Sequence, residues 1–341
     1  MLPHDVRVAV DALRPSRIHR LHRPELGLTA YLVLDSTVLG PAAGGVRAAH
    51  YPDERNAAVD ACRLARAMTY KCAVGGLDAG GGKIVVMDTP ELDREAAFET
   101  IGAAVQALEG ELRTAGDLGT SAADLAAMAR RTRYVHTDIA RLTSAVARGV
   151  LRCAEACADM KGRPGLSGLK AAVQGCGDIG AAVAEALAEA GVSVRVADLD
   201  EPRARAVAER IGGTVVSPRD VLYEDVDLLA PCAVGDVISK GSAKSLRAWA
   251  VCGGANNICT DRDAHLALHE RGILFVPDLV SSAGAVIEGI GRTLMGIEDR
   301  TPLIDALRHT ALLILEDARR TNAPPIDHAI RRAERRLADA G

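Results

Sequence analysis

The sequence is poor in aromatic residues, and it lacks the features that mark several other classes of protein. Phe, Trp and Tyr together make up 2% of the 341 residues, so the core has to be built from Ala, Val, Leu and Ile. No stretch approaches the roughly 18 uncharged apolar residues that a membrane-spanning helix requires. The first residues contain no apolar segment typical of a signal peptide. We therefore expect a cytoplasmic protein without a membrane partner.

The sequence also has no excess of positive charge and no pattern of metal ligands. It carries 41 Lys and Arg against 45 Asp and Glu, a net charge of −4, which gives no electrostatic reason to expect nucleic acid as a partner. The eight cysteines form no Cys-x-x-Cys pair, and several lie in apolar runs, as is typical of reduced, buried thiols. His265 and His269 are spaced like metal ligands, but no third ligand is evident. We interpret them as helix surface residues and expect no metal.

What the sequence does contain is a glycine-rich run over residues 68–83, in which Lys71 and Lys83 stand twelve residues apart with five glycines between them. A lysine among small apolar residues can lose its proton near neutral pH and act as a base. Glycines let backbone and ligand approach each other closely. The pattern predicts a helix over 53–70, with an aspartate as its N-cap, and a strand over 83–87. Both lysines are therefore expected at the ends of elements.

The neighbouring segments are predicted to be short elements joined by glycine-rich turns. A strand is predicted over 28–34, and the glycine-rich segment 40–45 is predicted to be a loop. A helix is predicted over 94–109, and residues 121–124 have the pattern of a capping box that opens the next helix. Asp117 lies in a glycine-flanked turn just before that cap. Taken alone, an aspartate in such a turn is usually structural.

The second half of the chain contains a dinucleotide-binding pattern in its full context. In order, it consists of strand 169–174, the glycines Gly175, Gly177 and Gly180, helix 179–190, strand 192–197 and Asp198. The first glycine permits a tight turn, the second lets a pyrophosphate approach, and the third allows close helix–strand packing. The N-terminus of the helix then offers unpaired N–H groups to the phosphates. The alternative is a glycine turn without a ligand.

The residue types around this pattern favour NAD over NADP. Asp198 can accept hydrogen bonds from the adenosine ribose, and its charge would repel a 2′-phosphate. Arg203 and Arg205 are the features that keep NADP open as an alternative. Asn256 and Asn257 are expected to place amide groups near the nicotinamide ribose, although Asn-Asn after two glycines is also a good turn.

Strands alternate with helices from about residue 169 to 276, which predicts an α/β fold with a doubly wound, parallel sheet. In such sheets ligands bind beyond the carboxyl ends of the strands. We divide the chain into an N-terminal α/β catalytic domain over 1–142 and a Rossmann-type NAD-binding domain over 143–300. Two helices over 301–341 are expected to pack back on the first domain or on an oligomer neighbour.

Several ordered motifs carry a family resemblance over about residues 28–290. They are Leu39–Arg47, Met68–Lys71, Gly80–Lys83, Gly116–Thr120, the dinucleotide pattern, Ala230–Ala233, Ala255–Asn257, Pro277–Asp278 and Ala283–Gly284. On these motifs the sequence resembles the Glu/Leu/Phe/Val dehydrogenase family, most closely its leucine dehydrogenase-like branch. The resemblance implies reversible, NAD-dependent oxidative deamination of a branched-chain or aromatic L-amino acid to the 2-oxo acid, ammonia and NADH. It also implies a homo-oligomer.

The resemblance further implies roles for individual residues. Lys71 matches the lysine that binds the substrate carboxylate, Lys83 the catalytic lysine, and Asp117 the aspartate that exchanges protons with the amino group. Other substrate contacts are implied for Gly40, Met68, Ala115, Val286 and Gly289. Cofactor contacts are implied for Gly175, Cys176, Gly177, Asp178, Ile179, Gly180, Asp198, Cys232, Ala233, Asn256, Asn257 and Thr143.

Three departures from the family pattern affect the expected activity. The segment from Tyr134 to Thr143 is short, and Thr143 is assigned the role of a threonine that the family places near the nicotinamide. Ser282 stands where the family commonly has Asn. Gly289 replaces a branched residue, which predicts an enlarged pocket and tolerance for large side chains such as those of Phe or Trp. The short segment and Ser282 motivate an alternative, a catalytically lapsed NAD-binding sensor or partner protein.

Overall fold

The computed structural model describes residues 2–138 and 140–341, and it divides the chain into two compact units. The first unit contains Met1–Ile139, Gly289–Gly296 and Ala333–Gly341. The second contains Ala140–Glu288 and Ile297–Arg332. Ile139, within the short segment from Tyr134 to Thr143, lies outside the described residues.

The first unit is built on a five-stranded mixed sheet. Its elements are α1 (His4–Asp11), β1 (Arg17–Arg23), β2 (Leu28–Ser36), β3 (Ala42–Ala49), α2 (Glu54–Val74), β4 (Gly80–Met87), α3 (Arg94–Gln106), β5 (Leu112–Gly116) and α4 (Ala122–Ala129). The strand order is β1-β2-β4-β3-β5, with β3 parallel to both β4 and β5 and the pairs β1/β2 and β2/β4 antiparallel. Apolar side chains of α1 and α2 form a core on one face of the sheet, and those of α3 and α4 form a core on the other.

Two helix starts in this unit confirm the predicted caps. Asp53 accepts a hydrogen bond from the backbone N–H of Asn56 at 2.7 Å and so opens α2. Ser121 and Asp124 form the reciprocal capping box at the start of α4. Such caps satisfy N–H groups that have no partner within the helix, which is why the short pattern locates a helix start so well.

The prediction that residues 40–45 form a loop holds for residues 40 and 41 but is wrong for 42–45, because Ala42–Ala49 is the strand β3 between β4 and β5. The glycines are needed for close packing within the sheet: a Cβ at Gly44 would lie 1.7 Å from the carbonyl oxygen of Gly82. The strand that contains Lys83 likewise begins earlier than predicted, at Gly80. Lys83 is therefore in the middle of β4 rather than at its end, whereas Lys71 lies in the last turn of α2. The sequence also left α1 and β1 unpredicted.

The second unit contains the predicted parallel sheet. Its elements are α5 (Ala140–Met160), β6 (Lys170–Gln174), α6 (Asp178–Glu189), β7 (Ser193–Ala197), α7 (Glu201–Ile211), β8 (Thr214–Val215), β9 (Leu228–Pro231), α8 (Lys240–Ala243), β10 (Ala250–Val251), α9 (Arg262–Glu270), β11 (Leu274–Phe275) and α10 (Asp278–Ser281). The strand order is β11-β10-β9-β6-β7-β8, and all five pairs are parallel. Strands β7 and β8 are added on one side of β6, and strands β9, β10 and β11 on the other. The boundary between β6 and β9 is therefore the topological switch point, where such sheets bind ligands.

Three further helices follow, α11 (Gly284–Thr293), α12 (Thr301–Thr321) and α13 (Pro325–Ala340). Helix α12 packs on α5 in the second unit, where Asp305 pairs with Arg148 and with Arg152. The residues over 301–341 do not form one block, since those up to Arg332 belong to the second unit and those from Ala333 to the first.

The cysteines and histidines bear directly on the question of metal binding. All eight cysteines are buried free thiols, as predicted. His265 is not the surface residue that we predicted: its ring packs edge-on against Phe275 at 5.0 Å between centroids, and burial lowers its pKa. Within the described residues, no group of three or more His, Cys, Asp or Glu side chains could hold a metal ion. Of the helices that the structure describes, none has the length and apolar character needed to cross a membrane.

Candidate active site

One row across the sheet of the first unit places two predicted site residues, Lys83 and Ala115, on either side of Gly45. Lys83 on β4 pairs with Val33 on β2, and the register of β3 with β4 and with β5 puts Gly45 beside Lys83 and beside Ala115. Val33 is buried in the core under α2, so this row faces α2, and Lys71 lies on that helix. Because Gly45 has no side chain, another group can approach the sheet closely between Lys83 and Ala115.

Asp117 enters the space above Gly45 and meets Lys83. The Lys83 Nζ donates to Asp117 Oδ2 at 2.5 Å, and Lys83 is only 5% exposed. A Cβ at Gly45 would lie 2.9 Å from the Asp117 Cβ, so only glycine at position 45 accommodates the carboxylate without displacement. The structure thus brings together the two residues predicted to be catalytic, although 34 residues separate them.

Arg47 is a further member of this site that sequence reasoning missed. Its Nε donates to Asp117 Oδ2 at 3.2 Å, and its Nη1 donates to Asp60 Oδ2 at 3.4 Å. The Tyr51 hydroxyl donates to the same Asp60 oxygen at 2.6 Å. Alternation along β3 puts residue 47 on the face of residue 45, so recognising the strand would have revealed this arginine.

The charges around Asp117 keep it ionised. Burial raises the pKa of this carboxyl, but the positive charges of Lys83 and Arg47 and the hydrogen bond from Lys83 outweigh burial and hold the pKa well below its usual range. The residue predicted to act as the base is thus observed in an ion pair with Asp117.

The turn that carries Asp117 is fixed by several hydrogen bonds. Thr120 Oγ1 accepts from the Asp117 backbone N–H at 2.9 Å and lies 2.6 Å from its carbonyl oxygen. Arg94 Nη2 donates to the carbonyl oxygen of Gly119 at 2.8 Å and to Asp124 at 2.7 Å. Gly119 has a positive φ of 78°, a conformation that side chains disfavour. Asp117 therefore projects from a rigid turn.

The remaining predicted substrate residues of the first unit lie on the elements around Lys83. Lys71 is 6% exposed in the last turn of α2, with Met68 half-buried one turn earlier. Helix α2 approaches β4 so closely that a Cβ at Gly81 would meet the backbone N of Thr69 at 2.1 Å. Gly40, with φ of 139°, packs against the carbonyl oxygen of Asp78 just before β4.

In the second unit, the three pattern glycines have three different surroundings. Gly175 has φ of 93° and would collide with Ala233 if it carried a Cβ, and a Cβ at Gly180 would lie 1.9 Å from the carbonyl oxygen of Gly175. A Cβ at Gly177, the N-cap of α6, would meet no atom within 4 Å. The first and third glycines are thus required by packing, while the second borders open space at a helix N-terminus. This is the arrangement that a pyrophosphate needs.

Asp198 ends β7 beside this loop. Its Oδ2 accepts from the backbone N–H of Cys176 at 2.6 Å and its Oδ1 from that of Asp200 at 2.8 Å. Burial raises the pKa of Asp198, but these two N–H groups and the charge of Arg203 lower it below its usual value. An ionised carboxylate can accept further bonds, so Asp198 can both support the loop and bind a ribose. The residues present fit NAD.

The other predicted cofactor residues gather at the carboxyl ends of β9 and β10. Cys232 Sγ accepts from the backbone N–H of Gly254 at 3.4 Å, and a Cβ at Gly254 would meet Ile179 Cγ2 at 2.6 Å. Asn257 has φ of 52°, and its N–H donates to the buried Asp278 at 2.9 Å. Asp178 opens α6 next to these loops, and Asn256 is exposed.

Three predicted residues lie further along the chain. Ser282 is buried, with its Oγ 2.7 Å from the carbonyl oxygen of Asp278 and 3.4 Å from Asn256 Oδ1. Thr143 lies in the first turn of α5, half-buried. Val286 and Gly289 are half-buried on α11, three residues apart and so on one face of that helix.

A parallel sheet with a dinucleotide-binding loop, together with a buried lysine–aspartate pair, defines a nicotinamide-dependent dehydrogenase. Comparison with known proteins identifies the family. Residues 15–134 match the Glu/Leu/Phe/Val dehydrogenase dimerisation domain, and residues 195–289 match the Glutamate/Leucine/Phenylalanine/Valine dehydrogenase domain. The chain belongs to the Glu/Leu/Phe/Val dehydrogenase family, as its motifs predicted.

Named relatives agree with this assignment. The chain is 35% identical to a leucine dehydrogenase of Geobacillus stearothermophilus, over 92% of this chain and 88% of that protein. It is 37% identical to a valine dehydrogenase of Streptomyces coelicolor, over 92% and 90%. The crystal structure of L-tryptophan dehydrogenase from Nostoc punctiforme superposes with a TM-score of 0.84 at 31% identity, over 98% of both chains. The protein is an NAD-dependent amino-acid dehydrogenase, an oxidoreductase acting on CH–NH2 donors, and the lapsed sensor is not favoured.

Proposed function

We propose that this protein oxidatively deaminates large apolar L-amino acids to the 2-oxo acid and ammonia, with Lys83 and Asp117 as its catalytic pair. The observation that carries this proposal is the contact between Lys83 Nζ and Asp117 Oδ2 at 2.5 Å, beside the side-chain-free position Gly45. A lysine on the sheet and a carboxylate on a hydrogen-bonded turn that are already in contact can act together in proton transfer. The similarity to leucine, valine and tryptophan dehydrogenases supports an apolar substrate.

The proposed chemistry assigns one task to each charged group. Lys71 binds the substrate carboxylate from the end of α2, and Gly40, Met68 and Ala115 lie along the substrate. Lys83 withdraws a proton from the attacking water and stabilises the tetrahedral intermediate. Gly175–Gly180 and Asp198 would hold NAD, which would supply the acceptor for the hydride from the substrate Cα. Thr143, Cys232, Ala233 and the pair Asn256–Asn257 are proposed to contact it.

Asp117 and Lys83 are proposed to exchange protons with the reactants as a pair. The pKa of Asp117 is low chiefly because two cations offset its burial. If Lys83 gives up its proton to bulk water before the attacking water reacts, one of those charges disappears, and the pKa of Asp117 must rise. Asp117 then becomes able to receive a proton from the substrate amino group. We therefore propose that the Lys83–Asp117 ion pair is the state of the site before these proton transfers begin.

The size of the substrate is the finer part of the proposal. Gly289, three residues from Val286 on α11, has no side chain at a position where the family has a branched one, and Ala115 is small. We propose that aromatic amino acids such as Phe or Trp are preferred. An assay of NADH absorbance with a panel of L-amino acids at alkaline pH tests this preference. If Leu or Val exceeded every aromatic amino acid in kcat/KM, the preference would be wrong.

The variant Gly289→Val provides the matched comparison for that panel. Filling the space is expected to lower kcat/KM for Phe and Trp relative to Leu by roughly 10–200-fold, the range that a few methyl groups command in an apolar pocket. An unchanged ratio would place Gly289 outside the pocket.

The catalytic roles are tested by separating turnover from cofactor binding. Lys83→Ala should lower kcat by at least about a hundredfold, the size of a general acid–base contribution, with the Kd for NAD unchanged. Asp198→Ala should show the opposite pattern, with weakened NAD binding. A Lys83→Ala variant with the kcat of the wild type would contradict the mechanism.

We also propose that the protein is a cytoplasmic homo-oligomer, with the first unit as both substrate-binding and oligomerisation domain. The match of residues 15–134 to a domain described as a dimerisation domain supports the assembly. Eight free thiols support a reducing compartment. Light scattering coupled to size-exclusion chromatography measures the assembly directly, and a monomer at micromolar concentration would contradict it.

A further inference from the structure

We propose that Arg336, near the end of the chain, is a positioning residue for substrate-carboxylate binding, because its guanidinium holds the helix end that carries Lys71. This inference rests on the role proposed for Lys71. All the groups involved belong to the first unit. Neither Arg336 nor its helix α13 is part of the motifs that define the family resemblance.

The contacts of Arg336 converge on the carboxyl end of α2. Its Nη1 donates to the carbonyl oxygens of Ala73 at 3.0 Å and Cys72 at 3.3 Å, the two residues directly after Lys71. The last carbonyls of a helix lack partners within the helix, and the helix dipole makes this end negative. The Leu77 N–H already donates to the Cys72 carbonyl at 3.0 Å and the Gly76 N–H to that of Ala73 at 3.4 Å. The half-buried Arg336, 29% exposed, therefore adds a charged second donor to these carbonyls and a positive charge at the negative end of the helix.

The same guanidinium reaches the turn that leads into β4. Its Nη2 donates to Asp78 Oδ1 at 2.9 Å. The carbonyl oxygen of Asp78 packs against Gly40, and the backbone N–H of Gly80 donates to the carbonyl oxygen of Gly40 at 3.2 Å. Arg336 therefore joins the end of the Lys71 helix to the turn beside Gly40, two places where the substrate is proposed to bind.

A neighbouring contact on α13 strengthens this arrangement. The Tyr70 hydroxyl donates to Glu334 Oε1 at 3.2 Å, so the residue preceding Lys71 is also held by α13. The ion pair with Asp78 adds little by itself, since Asp78 is 70% exposed and such pairs are screened by water. The two backbone carbonyl contacts are the part of the clamp that restrains Lys71.

Loss of this clamp is expected to disturb binding rather than chemistry. Helix ends fray readily, and Lys71 lies within the last turn of α2. A frayed turn moves Lys71 away from the substrate carboxylate, whereas Lys83 and Asp117 are held by the sheet and by a separate turn. The expected signature is therefore a raised KM for the amino acid without a comparable fall in kcat.

The experiment compares Arg336→Met with Arg335→Met in the full-length protein. Arg335 is the adjacent arginine on α13 and is exposed, so it controls for the loss of one positive charge. Arg336→Met should raise the KM for the amino acid by about tenfold, equivalent to ~1.4 kcal/mol, with kcat and the Kd for NAD nearly unchanged. Arg336→Lys should restore part of the loss, and Arg335→Met should match the wild type.

Hydrogen exchange of residues 68–75 distinguishes failure of this inference from failure of the proposed function. Arg336→Met should speed exchange in that segment even if the wild type turns over no amino acid, in which case only the function is wrong. If exchange and KM both stay at wild-type values in Arg336→Met, the clamp does not exist. If the Kd for NAD rises as much as KM, Arg336 supports the fold in general and the inference is also wrong. Should Arg336→Met fail to fold, Glu334→Ala removes the oxygen that accepts from the Tyr70 hydroxyl and is read by the same measurements.

Discussion

At the scale of single residues, the site is one carboxylate shared by two cations. Lys83 and Arg47 both donate to Asp117 Oδ2, and Arg47 has a second carboxylate partner in Asp60. Removing one member of a buried ion pair is costly mainly because the other charge is left without a partner. The three residues should therefore respond very differently to neutral substitution, even though they belong to one cluster.

The first prediction compares Asp117→Asn with Lys83→Met. Asp117→Asn leaves Lys83 and Arg47 as adjacent cations without their carboxylate, whereas Lys83→Met leaves Asp117 paired with Arg47. Because Asp117 is 20% exposed, we discount the value for a buried pair and expect Asp117→Asn to lower the free energy of unfolding by ~1–3 kcal/mol. Lys83→Met should cost less. Urea unfolding at neutral pH measures both, and equal or greater destabilisation by Lys83→Met would contradict the arrangement of charges.

The second prediction follows from the low pKa of Asp117. A carboxyl whose pKa is lower in the folded than in the unfolded chain contributes stability that is complete above its unfolded pKa, about 3.9. That contribution is lost as the pH falls through the lowered folded pKa. The stability difference between wild type and Asp117→Asn should thus be constant from about pH 7 to 5 and shrink in stronger acid. Urea unfolding of both proteins, measured from pH 7 into stronger acid, tests the direction of this change. A stability difference that grew toward low pH would contradict the prediction.

At the scale of elements, the helices of the first unit were easier to predict than the strands of its mixed sheet. Caps such as Asp53 and the pair Ser121–Asp124 act within one helical turn, so a few neighbouring letters suffice to locate them. The glycines of β3 and β4 were read as loop because glycine normally weakens a strand. These positions require glycine because another strand or helix packs against them, as the carbonyl of Gly82 does against Gly44. A local sequence pattern does not show which distant segment packs there.

The third prediction separates the structural and ligand-related glycines of the dinucleotide loop. Gly180→Ala places a Cβ 1.9 Å from the carbonyl oxygen of Gly175 and should destabilise the protein by ~1–3 kcal/mol through overpacking. Gly177→Ala places a Cβ in open space at a residue with φ of −67°. It should keep the wild-type Tm but weaken NAD binding by about tenfold, because the methyl group stands where the pyrophosphate approaches.

Thermal unfolding and NAD titration of the two glycine variants check this division. Each variant serves as the control for the other, since both add one methyl group to the same loop. A Gly177→Ala variant that bound NAD like the wild type would show that the cofactor does not approach the loop at that residue. A Gly180→Ala variant with unchanged Tm would show that the packing of α6 on the loop is looser than described.

At the scale of the whole molecule, the features that were predictable are the ones that are local in sequence. The dinucleotide pattern spans about thirty residues, and the parallel sheet around it followed from the alternation of elements. Recognising β3 would have placed Arg47 on the right face of the sheet, but the partners of Arg47 and Arg336 do not follow from local sequence, because they lie 70 and up to 264 positions away. Their partners become visible only after the chain has folded.

The two units each bury an apolar core of their own, and each is proposed to hold a different ligand group. A ligand stabilises what it binds, by ~2.7 kcal/mol at a hundred times its Kd. The fourth prediction is therefore that saturating NAD slows hydrogen exchange chiefly in the second unit, around β6, α6 and the end of β7. Addition of an apolar 2-oxo acid should extend the protection to α2 and β4 in the first unit.

Asp198→Ala provides the matched control for this experiment, because it removes a proposed ribose contact without touching the first unit. At the same NAD concentration its second unit should gain less protection, while the exchange rates of α2 and β4 before ligand addition stay at wild-type values. If NAD protected both units equally in the wild type, they would unfold as one cooperative body, and the assignment of one ligand to each would lose its support. Protection confined to the first unit would overturn the cofactor site itself.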